Sequence, residues 1–226
     1  MTISHPLDRP VWSALTTLWS PVAAGDAHAL RLDADHGPFG AAADGSEQSL
    51  AALAALIPAD GALWTVEADP LPLPPGVRVL REAVLHQMTA DSVDAPDDAV
   101  MIAPLEEADA ADMRALAHLT VPGPFHARTH RLGRFLGVKV DGRIVAMAGE
   151  RMRVPGFSEV SGVCTHPDHR GRGYAGTLMR AVARAMLERG ETPFLHTYAT
   201  NHGAIALYET LGFRLRMPMH MTVLGR

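Results

Sequence analysis

The residues with the densest chemical content run from Gly162 to Ala175, Gly-Val-Cys-Thr-His-Pro-Asp-His-Arg-Gly-Arg-Gly-Tyr-Ala. An apolar strand leads into a short loop carrying Arg170, Gly171, Arg172 and Gly173, and an amphipathic helix follows. Glycines let backbone N–H groups come close to a phosphate, and a helix N-terminus adds partial positive charge. Two arginines strengthen anion binding through charge-assisted hydrogen bonds. Residues 163–176 therefore read as a site for a pyrophosphate-bearing ligand.

Three kinds of phosphate site compete. A Walker A loop needs Gly-x-x-x-x-Gly-Lys-Ser/Thr, and the chain's one lysine, Lys139, is far from the loop. A dinucleotide fold fits better at first, because Gly171, Gly173 and Gly176 match G-x-G-x-x-G. In that fold the glycines follow the strand almost directly, and an acidic residue closes the next strand. Here His166 to Arg170 form a polar insert, and Glu191 precedes the next strand. Only 55 residues follow Gly171, too few to finish a doubly wound sheet.

The third kind is a family resemblance. Arg170-Gly-Arg-Gly-Tyr-Ala175 matches Arg/Gln-x-x-Gly-x-Gly/Ala, and so resembles the acetyl-CoA signature of the GNAT superfamily of N-acetyltransferases. Val163-Cys-Thr165 and Pro167 resemble that family's strand-loop approach. Asn201, Ala204, Tyr208, Leu211, Gly212 and Phe213 resemble its late N…A…LY…LGF segment. The resemblance covers about residues 98–226. It implies a mixed β-sheet flanked by helices and splayed between strands at 157–165 and 193–198, with acetyl-CoA or another acyl-CoA as co-substrate. It also implies that backbone groups of Val163 and Thr165 pair with the pantetheine arm and that the amides from Arg170 to Ala175, Tyr174 included, hold the pyrophosphate. Asn201 would approach the arm or the reacting groups.

Amine attack on a thioester needs a neutral amine, a donor to the carbonyl oxygen and a proton for the departing thiolate. Two glutamates compete as the base. Strand alternation puts Glu159 on one face with Ser161, Val163 and Thr165, and the histone-acetylating branch of the family resembles this chain in carrying a glutamate at that offset. Glu150 ends the apolar face Ile144, Ala146, Ala148 and could reach the same cleft; a water relay through both is a further option. The resemblance makes Tyr208 the acid for the thiolate. Cys164 reads as a structural thiol, pointing away from Val163 and Thr165. His166, His169, His126 and His130 read as solvated or structural, and no metal site is expected. His196 ends a cleft strand, where it either touches substrate or serves the core. Arg151 and Arg153 read as solvated.

The elements that must position these groups follow from periodicity. Tyr174 to Arg189 is a strong amphipathic helix, with Ala175, Leu178, Met179, Val182, Ala183, Met186 and Leu187 on one stripe and Gly190 just beyond. Strands are predicted at 100–102, 135–140, 143–154, 157–165, 193–198 and 213–224, the last broken near Pro218. Helices are predicted at 108–119 and 201–211. Asp141-Gly142 predicts a two-residue type I′ hairpin turn. Earlier, helices are expected around Trp12–Trp19 and Leu50–Ile57, with short strands at 62–66 and 77–80. The small, acidic stretch 90–98 reads as a linker.

The fold class is therefore α/β (α+β). A GNAT-like domain at 98–226 is preceded by a smaller α/β domain at 1–97, a lid or a degenerate copy of the catalytic fold. The 226 residues carry net charge −5, divided as −9 over 1–97 and +4 over 98–226. That balance speaks against nucleic acid as the main partner. A single cysteine, no leader pattern at the N-terminus and no long apolar run point to a cytoplasmic protein without membrane spans. The function expected is an acyl-CoA-dependent N-acetyltransferase acting in a ternary complex on a small-molecule amine, amino acid or peptide. A non-catalytic acyl-CoA sensor is the alternative.

Overall fold

The computed structural model describes residues 5–226; residues 1–4, which the leader reading includes, lie outside the described residues. The elements are α1 (Pro10–Leu15), β1 (Ala23–Gly25), β2 (Ala29–Leu32), β3 (Gly40–Ala42), α2 (Glu47–Leu56), β4 (Leu63–Glu67), β5 (Arg78–Thr89), β6 (Ala103–Leu105), α3 (Ala110–Thr120), β7 (Phe135–Val140), β8 (Arg143–Val154), β9 (Phe157–Thr165), α4 (Tyr174–Glu188), β10 (Thr192–Tyr198), α5 (His202–Thr210) and β11 (Arg214–Gly225). An eight-stranded mixed sheet runs β4-β11-β5-β10-β9-β8-β7-β6, and β1-β2-β3 form a small antiparallel sheet.

Consecutive side chains on a strand point to opposite faces, and the cores divide accordingly. On one face Leu178, Met179, Ala183 and Met186 of α4 pack on Ala146, Ala148, Val160 and Leu195. On the other, α1 packs with Met152, Phe194 and Met219, and α3 packs with Ile144, Met147 and Cys164. Phe194 and its neighbour Leu195 thus serve opposite cores. The stripe read on α4 is what anchors the loop before it, at about 1.5–3 kcal/mol for each fully buried Leu or Met. Its C-terminus is closed by Gly190 at φ +74°. Asp141 and Gly142 both hold positive φ, as the type I′ turn requires.

Close approach makes Gly149 indispensable. A Cβ there would lie 2.4 Å from the Phe135 ring and 2.7 Å from the Arg134 carbonyl oxygen. Gly149→Ala is expected to lower stability by about 1–3 kcal/mol, the usual range for overpacking a core; urea unfolding checks this.

Several expectations need correction. The strand predicted at 77–80 continues to Thr89, because charged Arg81 and Glu82 sit on exposed positions and hide the alternation. β11 passes through Pro218 without a break, with an irregularity between Leu215 and Met217 just before it. The first strand after residue 98 lies at Ala103–Leu105, not 100–102. The strands at 23–42 have no periodic signal, being only three or four residues long. The expected boundary at residue 97 does not separate the sheet into independent units. β5 lies between β11 and β10 and hydrogen-bonds to both, so residues 78–89 belong to the middle of the sheet built by residues 98–226.

Candidate active site

β9 and β10 are parallel, and they pair only at Thr192–Phe157, Pro193–Ser158 and Phe194–Glu159. Beyond that point they diverge, while β10 stays paired along its other edge with β5. The gap opens into a cleft of about 570 Å³. Val163, Thr165, Arg170, Gly171, Arg172, Gly173, Tyr174, Ala175, Asn201 and Tyr208 all line it.

Gly171 and Gly173 adopt φ +76° and +75°, and open space surrounds each Cα. Gly173 caps α4 with no side chain on the helix end. The first amides of the helix therefore have no intrahelical acceptor and stand at the cleft wall through Tyr174, Ala175 and Gly176. The Arg170 guanidinium donates to the Thr165 carbonyl (3.4 Å), tying the loop to the end of β9. Two further cleft residues carry buried nitrogens without a partner among the described residues, His169 Nδ1 and Arg180 Nε. Unmade buried donors and free helix amides suit an anionic ligand. The motif did not reveal Arg180; its place on α4 one turn beyond Gly176 is the only signal for it.

The two glutamates do not join this cleft. Glu159 is 1% exposed. Arg151 holds it by two 2.8 Å bonds, and His196 Nδ1 meets Oε1 at 2.9 Å. Burial alone would raise its carboxyl; Arg151 and His196 outweigh that and hold it at about 2. A carboxylate so held is a poor proton acceptor near neutrality. Glu150 faces the opposite side of the sheet, bonded to Arg189 at the end of α4 (3.0 Å). A water relay through both would have to cross the sheet.

Two irregularities cause these corrections. In β9, Ser161 pairs with Gly149 and Cys164 with Met147, so three residues span where β8 uses two. Gly162 takes φ +64° there. This bulge reverses the alternation: Val163 packs with the α4 core, as Val160 does three residues earlier, while Glu159 faces the other side. A second shift, between Glu150 and Arg153, turns Arg151 onto Glu159. Arg151 is thus not solvated, and its guanidinium also lies 4.9 Å from the Phe39 ring centre. Arg153 is bonded to Glu191 (2.9 Å). His196 is a core group: its Nε2 meets Gln87 Nε2 at 3.0 Å.

Tyr208 lines the same cleft as Val163 and Thr165, and burial raises its phenol above the ordinary value. The proton is therefore retained at neutral pH, as an acid requires. Asn201 caps α5, its side chain accepting from the Ala204 amide (3.3 Å). Cys164 packs with α3, on the face opposite Val163 as strand alternation expects, and it also contributes to the cleft lining. Burial pushes its thiol up to about 11. Thiol reagents such as DTNB are expected to modify it only when the chain is unfolded, since the thiolate is the reactive form. A rapid stoichiometric burst on the native protein would contradict this. His126 and His130 lie in no shared helix: His126 Nδ1 meets the Ala34 carbonyl and His130 Nε2 meets Glu107.

The family model described as FR47-like protein matches residues 135–221. A GNAT-family protein structure from Novosphingobium aromaticivorans is 51% identical over 99% of both chains, with a TM-score of 0.93. A GCN5-related N-acetyltransferase from Kribbella flavida shares the fold at 18% identity and a TM-score of 0.64, covering 95% of this chain and 93% of that one. A mycothiol acetyltransferase of Corynebacterium aurimucosum is 40% identical over 62 residues, 27% of this chain and 20% of that protein. The chain thus matches only a fifth of that relative's length.

Proposed function

The chain belongs to the GNAT family of acetyltransferases, and from that premise we propose that it transfers an acetyl group from acetyl-CoA to a primary amine by direct attack in a ternary complex. The carrying observation is the cleft where β9 and β10 diverge, lined at once by the glycine-arginine loop, the N-terminus of α4 and Tyr208. Bound acetyl-CoA would supply an acyl group already activated as a thioester. The amides from Arg170 to Ala175, with Arg172, hold its pyrophosphate. Backbone groups of Val163 and Thr165 align the arm, and Asn201 lies beside it. Placing the two reactants side by side supplies much of the acceleration. Tyr208 donates its hydroxyl proton to the departing sulfur. The catalytic region comprises residues 98–226 together with β5. The acceptor is a small-molecule amine, amino acid or peptide.

Among the described residues no carboxylate lines the cleft. The amine nitrogen therefore loses its proton to solvent or arrives neutral, and neither Glu159 nor Glu150 serves as base in this reading. The same observation favours a second reading, an acyl-CoA sensor without turnover. Among the described residues no helix is long and apolar enough to cross a membrane.

The test is acetyl-CoA-dependent thiol release against a panel of amines, with a thermal-shift titration of acetyl-CoA alongside. Release with one amine class supports the transferase. A thermal response with no release from any amine supports the sensor. No thermal response to any CoA ester removes both.

A further inference from the structure

We propose that the protein carries a second ligand site, for a small organic monocation with an apolar body, on the β4–β11–β5 end of the sheet. The site is a pocket of about 200 Å³ separate from the cleft at β9 and β10. Its floor is three strands of one sheet face. Thr65, Thr222 and Glu82 lie side by side in register, and Glu67 lies beside His220 in the neighbouring row. Leu53 of α2 forms a wall, and the stiff segment Pro70–Pro74 lays Leu71 and Leu73 over the top. Such enclosure by apolar groups around a few convergent polar ones is the general form of a small-molecule site.

Charge selects the ligand. Glu67 is 3% exposed and pairs with Arg9 through two bonds, 2.8 and 3.1 Å. Arg9 is itself committed to the carbonyls of Ala42 and Ala43. Glu82 lies at the exposed rim and has no ion-pair partner among the described residues. The Glu82 carboxylate is therefore the pocket's uncompensated charge, since Arg9 offsets Glu67. Its remaining polar groups include two threonine hydroxyls, which can accept from an ammonium. An alkylammonium places its head at Glu82 and Glu67, among these hydroxyls, and its chain under Leu71 and Leu73. Burial also raises the Glu67 carboxyl despite Arg9.

The proposal is independent of the transferase reading and is tested on the full chain without acetyl-CoA. The probe is n-butylammonium chloride, with n-butanol and butyrate as neutral and anionic controls, read by the methyl NMR signals of Leu71, Leu73 and Val79. The expected result is saturable shifts of these methyls with the ammonium only, weakening as salt rises. Glu82→Gln, at the exposed rim, is expected to weaken binding about tenfold while leaving thermal stability unchanged. Tyr208→Phe is expected to leave it unaltered, separating this site from an acceptor site in the cleft. Equal binding of n-butanol, no methyl response, or an unaltered affinity in Glu82→Gln overturns the proposal.

Discussion

Glu159→Ala is expected to destabilise the protein by about 3–5 kcal/mol, because it strands a buried guanidinium. Arg151 is 13% exposed along its side chain and gives Glu159 both of its 2.8 Å bonds. Without the carboxylate it keeps, among the described residues, only the Phe39 ring as a close side-chain partner, and His196 loses its Nδ1 acceptor. For a chain of this length that loss lowers Tm by about 10 °C or more. The pH dependence has a definite sign. The carboxyl titrates at about 2 when folded, below its ordinary 4.5. Its contribution is fully present above 4.5 and is lost as the pH falls through about 2. By linkage it amounts to about 3 kcal/mol, in line with the mutational figure. Urea unfolding of wild type and Glu159→Ala at pH 7 and at pH 3 measures it, and the gap between them is expected to narrow in acid. The same variant decides the chemical question. If Glu159 were the base, its removal would abolish the acid limb of the rate profile. We expect the folded fraction to keep that limb.

Tyr208→Phe is expected to lower kcat about a hundredfold, within the range that one general acid contributes. KM for acetyl-CoA should move little, since the residue acts when sulfur leaves and the loop that grips the pyrophosphate is untouched. An acid works only while protonated, so activity falls as pH rises through its folded value. Burial raises that value above the usual 10, so wild type is expected to show no alkaline fall below about pH 10. A hundredfold loss with unchanged thermal response to acetyl-CoA supports the assignment. Retained kcat in the variant would transfer the proton to solvent and leave Tyr208 a packing residue against Phe213, its ring centre 6.5 Å away.

Much of the binding side was legible in the residues. The stripe of α4 and the glycines before it are local patterns, because helix period and backbone conformation depend on neighbours within a few positions. Hence the loop 170–175, the turn at 141–142 and the span 157–165 stand where periodicity puts them. The chemical side was less legible. Glu159 and Glu150 read as rivals for one cleft, yet they lie on opposite faces in different ion pairs.

By itself, then, the sequence determined the family and the helix that presents the glycine-arginine loop. Tertiary structure decided which way the acids face and which strands make the sheet. A β-bulge is a single unpaired residue whose existence depends on the partner strand's register, and one such residue at Gly162 reverses every side chain beyond it. The insertion of β5 between β10 and β11 likewise rests on hydrogen bonds between segments more than a hundred residues apart, which no local pattern encodes.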